Sequence, residues 1–217
     1  MTDYLALDEE MQSCRKCEDL LARAFVAPSE SAERVEPRPI VTGVRPKRIV
    51  VIGEAPGLEE YATGQLFKGK AGQQIRALMA EAGVPHFDRD VYSCTVVACY
   101  PGHWKPLHSV AMNFRKNPPP DMIANCRSFF ERQIRLANPR LIVTMGRPAL
   151  NAVLQSQEPP APKVALVEVV GTILQRGERS VVPFPPMSGR SLWLNDPARQ
   201  ALFEKAKRLL RDEVVRL

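Results

Sequence analysis

Long apolar runs are missing from this 217-residue chain. Nowhere do about 18 consecutive apolar residues occur, which excludes an ordinary membrane-spanning helix. The first residues, "MTDYLALDEE", are acidic and lack the basic stretch and apolar core of a secretion signal. A soluble, cytoplasmic, monomeric protein is expected. The turn after the first strong apolar segment lacks G-x-G-x-x-G, which removes the usual fingerprint of a dinucleotide-binding enzyme. Histidine is down to three residues, His86, His103 and His108, and no internal repeat is visible.

What is present points to one large domain, 1–217, because 45% hydrophobic content over this length fills a full core. The net charge is +6 with a pI near 9.2, an excess that attracts polyanions. Basic residues gather after Cys99, at His103, Lys105, His108, Arg115 and Lys116, and again near the end, at Lys205, Lys207, Arg208 and Arg211. That clustering favours a nucleic acid over an evenly mixed soluble surface.

Periodicity predicts alternating elements. "LDEEMQSCRKCEDLLARAF" reads as a helix and "APSESAERVEPRPIVTGVRP" as a surface loop. Strands are predicted at 47–52, 91–98 and 140–145, with helices at about 70–83 and 120–137. A short helix from Pro148, a hairpin-like pair at 164–174 and 180–184, and a last helix opened by Asp196-Pro197 complete the chain. This order implies an α/β fold, a three-layer α-β-α sandwich around a mainly parallel four-stranded sheet. At the end of the first strand, "VIGEAPGLEE" breaks off in Gly53, Glu54, Pro56 and Gly57. Ligands bind at the carboxyl ends of strands in open α/β sheets.

The five cysteines are the second signal. Cys14 and Cys17 form a C-x-x-C pair placed on the first predicted helix, Cys99 ends a predicted strand, and Cys126 lies in a predicted helix. Cys94, inside a strand, reads as a buried thiol. In a cytosolic protein such spacing favours metal or redox chemistry over disulfides. Lys and Arg beside the C-x-x-C pair favour thiolates, and spacing alone leaves zinc and an iron-sulfur cluster both open.

"GEAPGLEEYATGQLFKGKAGQQI" resembles the signature of the family 4 uracil-DNA glycosylases, G-E-G/A-P-G followed by acids and G-x-P-F-V-G-x-A-G. "CRKC", "VYSCTVVACYPG", "NCRSFFERQIRLANPRLIVTMGRPAL" and "PMSGRSLWLNDP" agree with that family in the same order. The resemblance implies a [4Fe-4S] cluster on Cys14, Cys17, Cys99 and Cys126. It also implies hydrolysis of the N-glycosidic bond of uracil, or a related deaminated base, in DNA. The 100–119 segment is longer than is usual for the family, and its Trp104, Lys105, Arg115 and Lys116 suit DNA contact.

Base excision needs a stacking surface, donors for the base oxygens and a carboxylate near the sugar and water. Gly53 and Ala55 offer backbone, Glu54 or Glu60 the carboxylate, and Phe67 the stacking ring. Three positions depart from the family's pattern. Ala55 stands where the most active relatives carry an activating Asp, a mild departure because family 4 also has a small residue there. Thr95 stands where the family's Asn reads the uracil edge, and one hydroxyl in place of an amide should loosen base selection. Pro186 and Met187 stand where a His donates to the leaving base, and Pro has no donor at all. Ser188, Gly189 and Arg190 would form the loop entering the minor groove. Two functions follow: a glycosylase with weak or atypical activity, or an iron-sulfur nucleic-acid-binding protein of the same fold that has lost excision.

Overall fold

The computed structural model describes residues 3–29, 31–104, 117–156, 160, 162, 164–187 and 192–217. The helices are α1 (Asp3–Gln12), α2 (Glu18–Leu21), α3 (Leu58–Thr63), α4 (Lys70–Glu81), α5 (Phe87–Asp90), α6 (Pro120–Ala137), α7 (Gly146–Gln155), α8 (Leu166–Val169) and α9 (Pro197–Val215). The strands are β1 (Ile49–Gly53), β2 (Val91–Thr95), β3 (Leu141–Met145), β4 (Leu174–Arg176) and β5 (Arg179–Phe184). They form one five-stranded sheet in the order β2-β1-β3-β5-β4. The four longer strands run parallel, and β4 adds an antiparallel edge that the four-strand expectation omitted.

Alternation along the strands divides the core. Val50, Ile52, Ile142 and Val181 face α1, α6 and α7, packing with Leu7, Phe130, Ile134 and Leu150. Val51, Val143 and Val182 face α4 and α9, packing with Ile75, Met79 and Leu210. Both faces of a parallel sheet are covered, so β1 and β3 are buried along their whole length. Asp196 caps α9 as its sequence predicts, accepting N–H bonds from Ala198 at 2.8 Å and Arg199 at 3.1 Å.

Four expectations are corrected. The first predicted helix breaks between α1 and α2, where the Ser13 hydroxyl bonds back to the Glu9 and Glu10 carbonyls and so competes with the helical ladder. Cys14 and Cys17 therefore sit at a turn. The second strand stops at Thr95, because the N–H groups of both Val96 and Val97 turn to the Gly53 and Glu54 carbonyls and bend the chain around β1. Cys99 thus lies beyond the strand. The first arm of the hairpin opens as α8, leaving β4 three residues long. The Pro/Ser-rich connection is no free loop: Val35, Ile40 and Val44 are buried, the Ile40 N–H bonds to the Ala98 carbonyl, and the Thr42 hydroxyl bonds to the Ser93 carbonyl.

Candidate active site

Register brings the parallel strands to a common end. Gly53 pairs with Thr95 and Met145 with Phe184, and the sheet order reverses between β1 and β3, the usual ligand position. A cavity of about 270 Å³ opens there. Glu54, Glu60, Phe67, Thr95, Met145 and Pro186 contribute to its lining, together with Gly53 and Ala55. The residues expected at the base site are therefore brought together, although they come from separate parts of the chain.

The two carboxylates differ in their surroundings. Glu54 is half-buried, and burial raises its pKa above the ordinary carboxylate range. Glu60 accepts N–H bonds from Gly57 at 3.0 Å, Lys68 at 3.1 Å and Gly69 at 2.9 Å. Its side chain thus ties the turn after β1 to the loop that carries Phe67.

That loop is held in an unusual backbone state. Phe67 has φ 56°, a left-handed conformation that a bulky residue adopts only when its surroundings impose it. Arg76 Nε donates to the Phe67 carbonyl at 3.1 Å, and the same guanidinium makes a bidentate pair with Asp88 at 2.7 and 2.9 Å. The pairing holds the Asp88 carboxyl below its usual range. The Phe67 ring meets Phe87 edge-on with centroids 5.9 Å apart. Gly72, on α4, is required because a Cβ there would stand 2.1 Å from the Phe67 carbonyl carbon. The ring also reaches Gly53, where a Cβ would lie 3.4 Å from its tip.

Thr95 is buried, and its hydroxyl donates to the Val97 carbonyl at 2.8 Å. Across the cavity, Pro186 packs against Gly146, at 3.2 Å from where a Cβ would sit. Among the described lining residues there is no His, Asn, Gln, Lys or Arg. Lys105, Arg115, Ser188, Gly189 and Arg190 lie outside the described residues.

Cys14, Cys17, Cys99 and Cys126 line a second, small cavity walled by Met11, Pro37, Pro39 and Phe129. Burial, reinforced by the neighbouring thiols, pushes Cys99 up to about 12 and Cys126 up to about 11. Cys17 is also raised by burial, against the lowering effects of Asn125, which donates to its Sγ at 3.4 Å, and of Lys16. Desolvation therefore outweighs the basic neighbours expected to favour a thiolate. Among the described residues, no three His, Cys, Asp or Glu are grouped to hold one metal ion. Cys94 lies apart, in the core between β2 and the α1–α6 layer, with its thiol pushed up by burial.

Sequence reasoning missed Met145, Gly72, Arg76 and Asp88. Met145 was available from the strand-end rule, and a glycine inside a helical pattern signals close backbone approach. Arg76 stands one turn after Gly72 on the same helical face, but nothing local tells that it reaches back to Phe67.

The pattern of the Uracil DNA glycosylase superfamily matches residues 42–211. The chain is 31% identical to a Type-4 uracil-DNA glycosylase of Thermotoga maritima, over 95% of this chain and 94% of the relative. It is 26% identical to a protein of the same name from Sulfurisphaera tokodaii, over 94% of this chain and 81% of that one. A third, from Saccharolobus solfataricus, is 25% identical over 96% of this chain and 87% of its own length.

Proposed function

Because the chain belongs to the uracil-DNA glycosylase superfamily, we propose that its strand-end cavity receives a nucleotide flipped from DNA. There the protein, a DNA repair glycosylase, hydrolyses the N-glycosidic bond of uracil. The observation carrying this reading is a cavity whose lining joins a half-buried carboxylate, Glu54, to a held aromatic ring, Phe67.

In this reading Phe67 stacks on the base, while backbone N–H groups of the Glu54–Ala55 turn face the base oxygens. Ionised Glu54 takes a proton from the water that attacks the sugar carbon as the glycosidic bond lengthens. Glu60 fixes the turn after β1 against the Phe67 loop instead of meeting the water, since its oxygens are engaged by three backbone N–H groups. The side of the cavity formed by Pro186 and Met187 gives the leaving base no side-chain donor, so excision is expected to be weak. The same observation supports a second reading, a protein that binds DNA without excising. Lys105, Arg115, Ser188, Gly189 and Arg190 are assigned to phosphate and groove contacts, and the protein to monomeric action on cytoplasmic DNA.

Cys14, Cys17, Cys99 and Cys126 are assigned as ligands of a [4Fe-4S] cluster. Four thiols around one apolar-walled cavity fit that group, and thiols that burial keeps neutral ionise readily only beside a cation. Such a cluster would cross-link the amino-terminal segment, the chain after β2, and α6 through iron–thiolate bonds. Iron and acid-labile sulfide at four each per chain after anaerobic purification are expected; stoichiometric zinc without iron overturns the assignment.

Incubation of the full chain with a uracil-containing duplex, followed by alkali and gel analysis, tests the enzymatic reading. Strand scission at the uracil is expected. No scission above the background of Glu54→Gln, with retained DNA binding, selects the second reading.

A further inference from the structure

The hydrogen-bonding inventory of the cavity is lopsided. Its described lining contains acceptors in Glu54, Glu60 and Thr95 but no Asn, Gln, His, Lys or Arg. Glu60 is occupied by three backbone N–H groups. Thr95 has one hydroxyl proton, and that proton goes to the Val97 carbonyl at 2.8 Å. A hydroxyl has one donor and two lone pairs, so Thr95 has only lone pairs left for a base. It can accept from a ring N–H, and it repels a ring nitrogen that carries its own lone pair.

This is the atom that hydrolytic deamination changes. Cytosine and adenine present a bare ring nitrogen beside their amino groups, and replacing the amine by a carbonyl places a proton on that nitrogen. Uracil and hypoxanthine therefore share one feature, a lactam N–H, that their parents lack. Resting on the glycosylase reading of the same cavity, we propose that Thr95 selects bases by accepting this single N–H. The substrate class is then the lactam products of deamination, with hypoxanthine beside uracil.

Size does not oppose a purine. Five lining residues, Gly53, Ala55, Gly57, Ala71 and Gly72, are glycine or alanine, in a cavity of about 270 Å³. Thymine and guanine carry the same N–H, and intact pairing protects them, since flipping is least costly for a mismatched or damaged base. The chemistry is the same for both substrates. The water oxygen bonds to the sugar C1′, and the electron pair of the broken C–N bond leaves on N1 of uracil or N9 of hypoxanthine. Glu54 takes one water proton, solvent reprotonates the base, and an abasic sugar remains.

The test uses the full chain and duplexes bearing 2′-fluoro analogues, which bind without being hydrolysed, of deoxyuridine, deoxyinosine and deoxycytidine at one mispaired position. The uridine and inosine duplexes are expected to bind within about tenfold of each other and at least about tenfold tighter than the cytidine duplex, the scale of one hydrogen bond. Excision from the corresponding natural uracil and hypoxanthine duplexes is measured in parallel. Thr95→Val, which keeps the shape and removes the acceptor, should erase the preference over cytidine, while Thr95→Ser should keep it. An inosine duplex bound no better than cytidine, with uridine preferred and uracil excised, overturns the lactam rule and leaves the glycosylase reading intact. Equal binding of all three analogues overturns the lactam rule, and absence of uracil excision in the parallel assay overturns the glycosylase reading. A Thr95→Ser protein that behaves as Thr95→Val does, both folded by circular dichroism, removes the hydroxyl from the argument.

Discussion

The two walls of the strand-end cavity are built on different principles. The wall from Gly53 to Ile75 is cross-tied by polar groups, with Glu60 joining the turn to the Phe67 loop and Arg76 holding the Phe67 carbonyl from α4. The wall from Met145 to Met187 is apolar and close-packed, and Pro186 rests on Gly146. Geometry is thus enforced on one side, where the base would stack, while the described residues of the other side include no side-chain donor to meet charge developing on the base. Catalysis that depends on one wall is expected to be vulnerable there and improvable on the other.

The strongest way to break this asymmetry is Glu54→Gln, which should lower uracil excision about 10²- to 10⁴-fold, the range for losing a positioned acid–base group. The wild-type rate should rise with pH through a midpoint above the ordinary carboxylate range, and the acid limb should vanish in the variant; a limb that persists in Glu54→Gln places the base elsewhere. Gly72→Ala comes next, because the added methyl meets the Phe67 backbone. A loss of about 100-fold is expected, as for a misplacement of about 1 Å, and near-normal excision would show that the Phe67 loop tolerates displacement.

Pro186→His tests the weaker wall from the other direction. A full oxyanion-type donor is worth about 10²- to 10³-fold, and a donor grafted onto an unprepared backbone should recover roughly tenfold in single-turnover rate. A smaller effect is expected from Arg76→Ala. Affinity for a non-hydrolysable uracil duplex should fall about tenfold, as for loss of a charged hydrogen bond. The single-turnover rate at saturating protein should change less; a loss confined to that rate contradicts a role in positioning Phe67.

The smallest effect lies in stability. The folded-state pKa of Glu54 is raised, so its contribution is most favourable at acid pH, where it is protonated in both states, and is lost as pH rises through the folded value. Glu54→Gln should therefore raise Tm at neutral pH, by about 1–3 °C on the scale of a chain this size. The gap should close on acidification below the ordinary carboxylate range, as a calorimetric series can show.

The same contrast explains what the sequence revealed. Local rules sufficed for α6, whose buried residues Met122, Cys126, Phe129, Phe130 and Ile134 keep helical spacing, and for α9 with its Asp196 cap. They sufficed for the ends of β1 and β3, where a glycine follows or closes an apolar run. They failed where a distant partner decides the outcome. The end of β2 depends on Gly53 and Glu54 carbonyls some forty residues earlier in the chain, and Glu60, one of two alternatives for the carboxylate, meets its partners only when the Phe67 loop folds over it. The grouping of four cysteines came from resemblance to a family, because spacing left the metal open.

The strap formed by residues 40–44 has a consequence for self-association. β2 is one of the two outer strands of the sheet, and an uncovered outer strand is a template for pairing with another molecule. Here the Ser93 and Ala98 carbonyls, in and just beyond that strand, already accept from Thr42 and Ile40, and Val44 is buried beside it. The segment acts as a guard rail against intermolecular strand addition. Thr42 and Gly43 within it, and Pro39 and Pro46 on either side, look like linker material, yet the segment covers an edge that would otherwise be open to a second molecule.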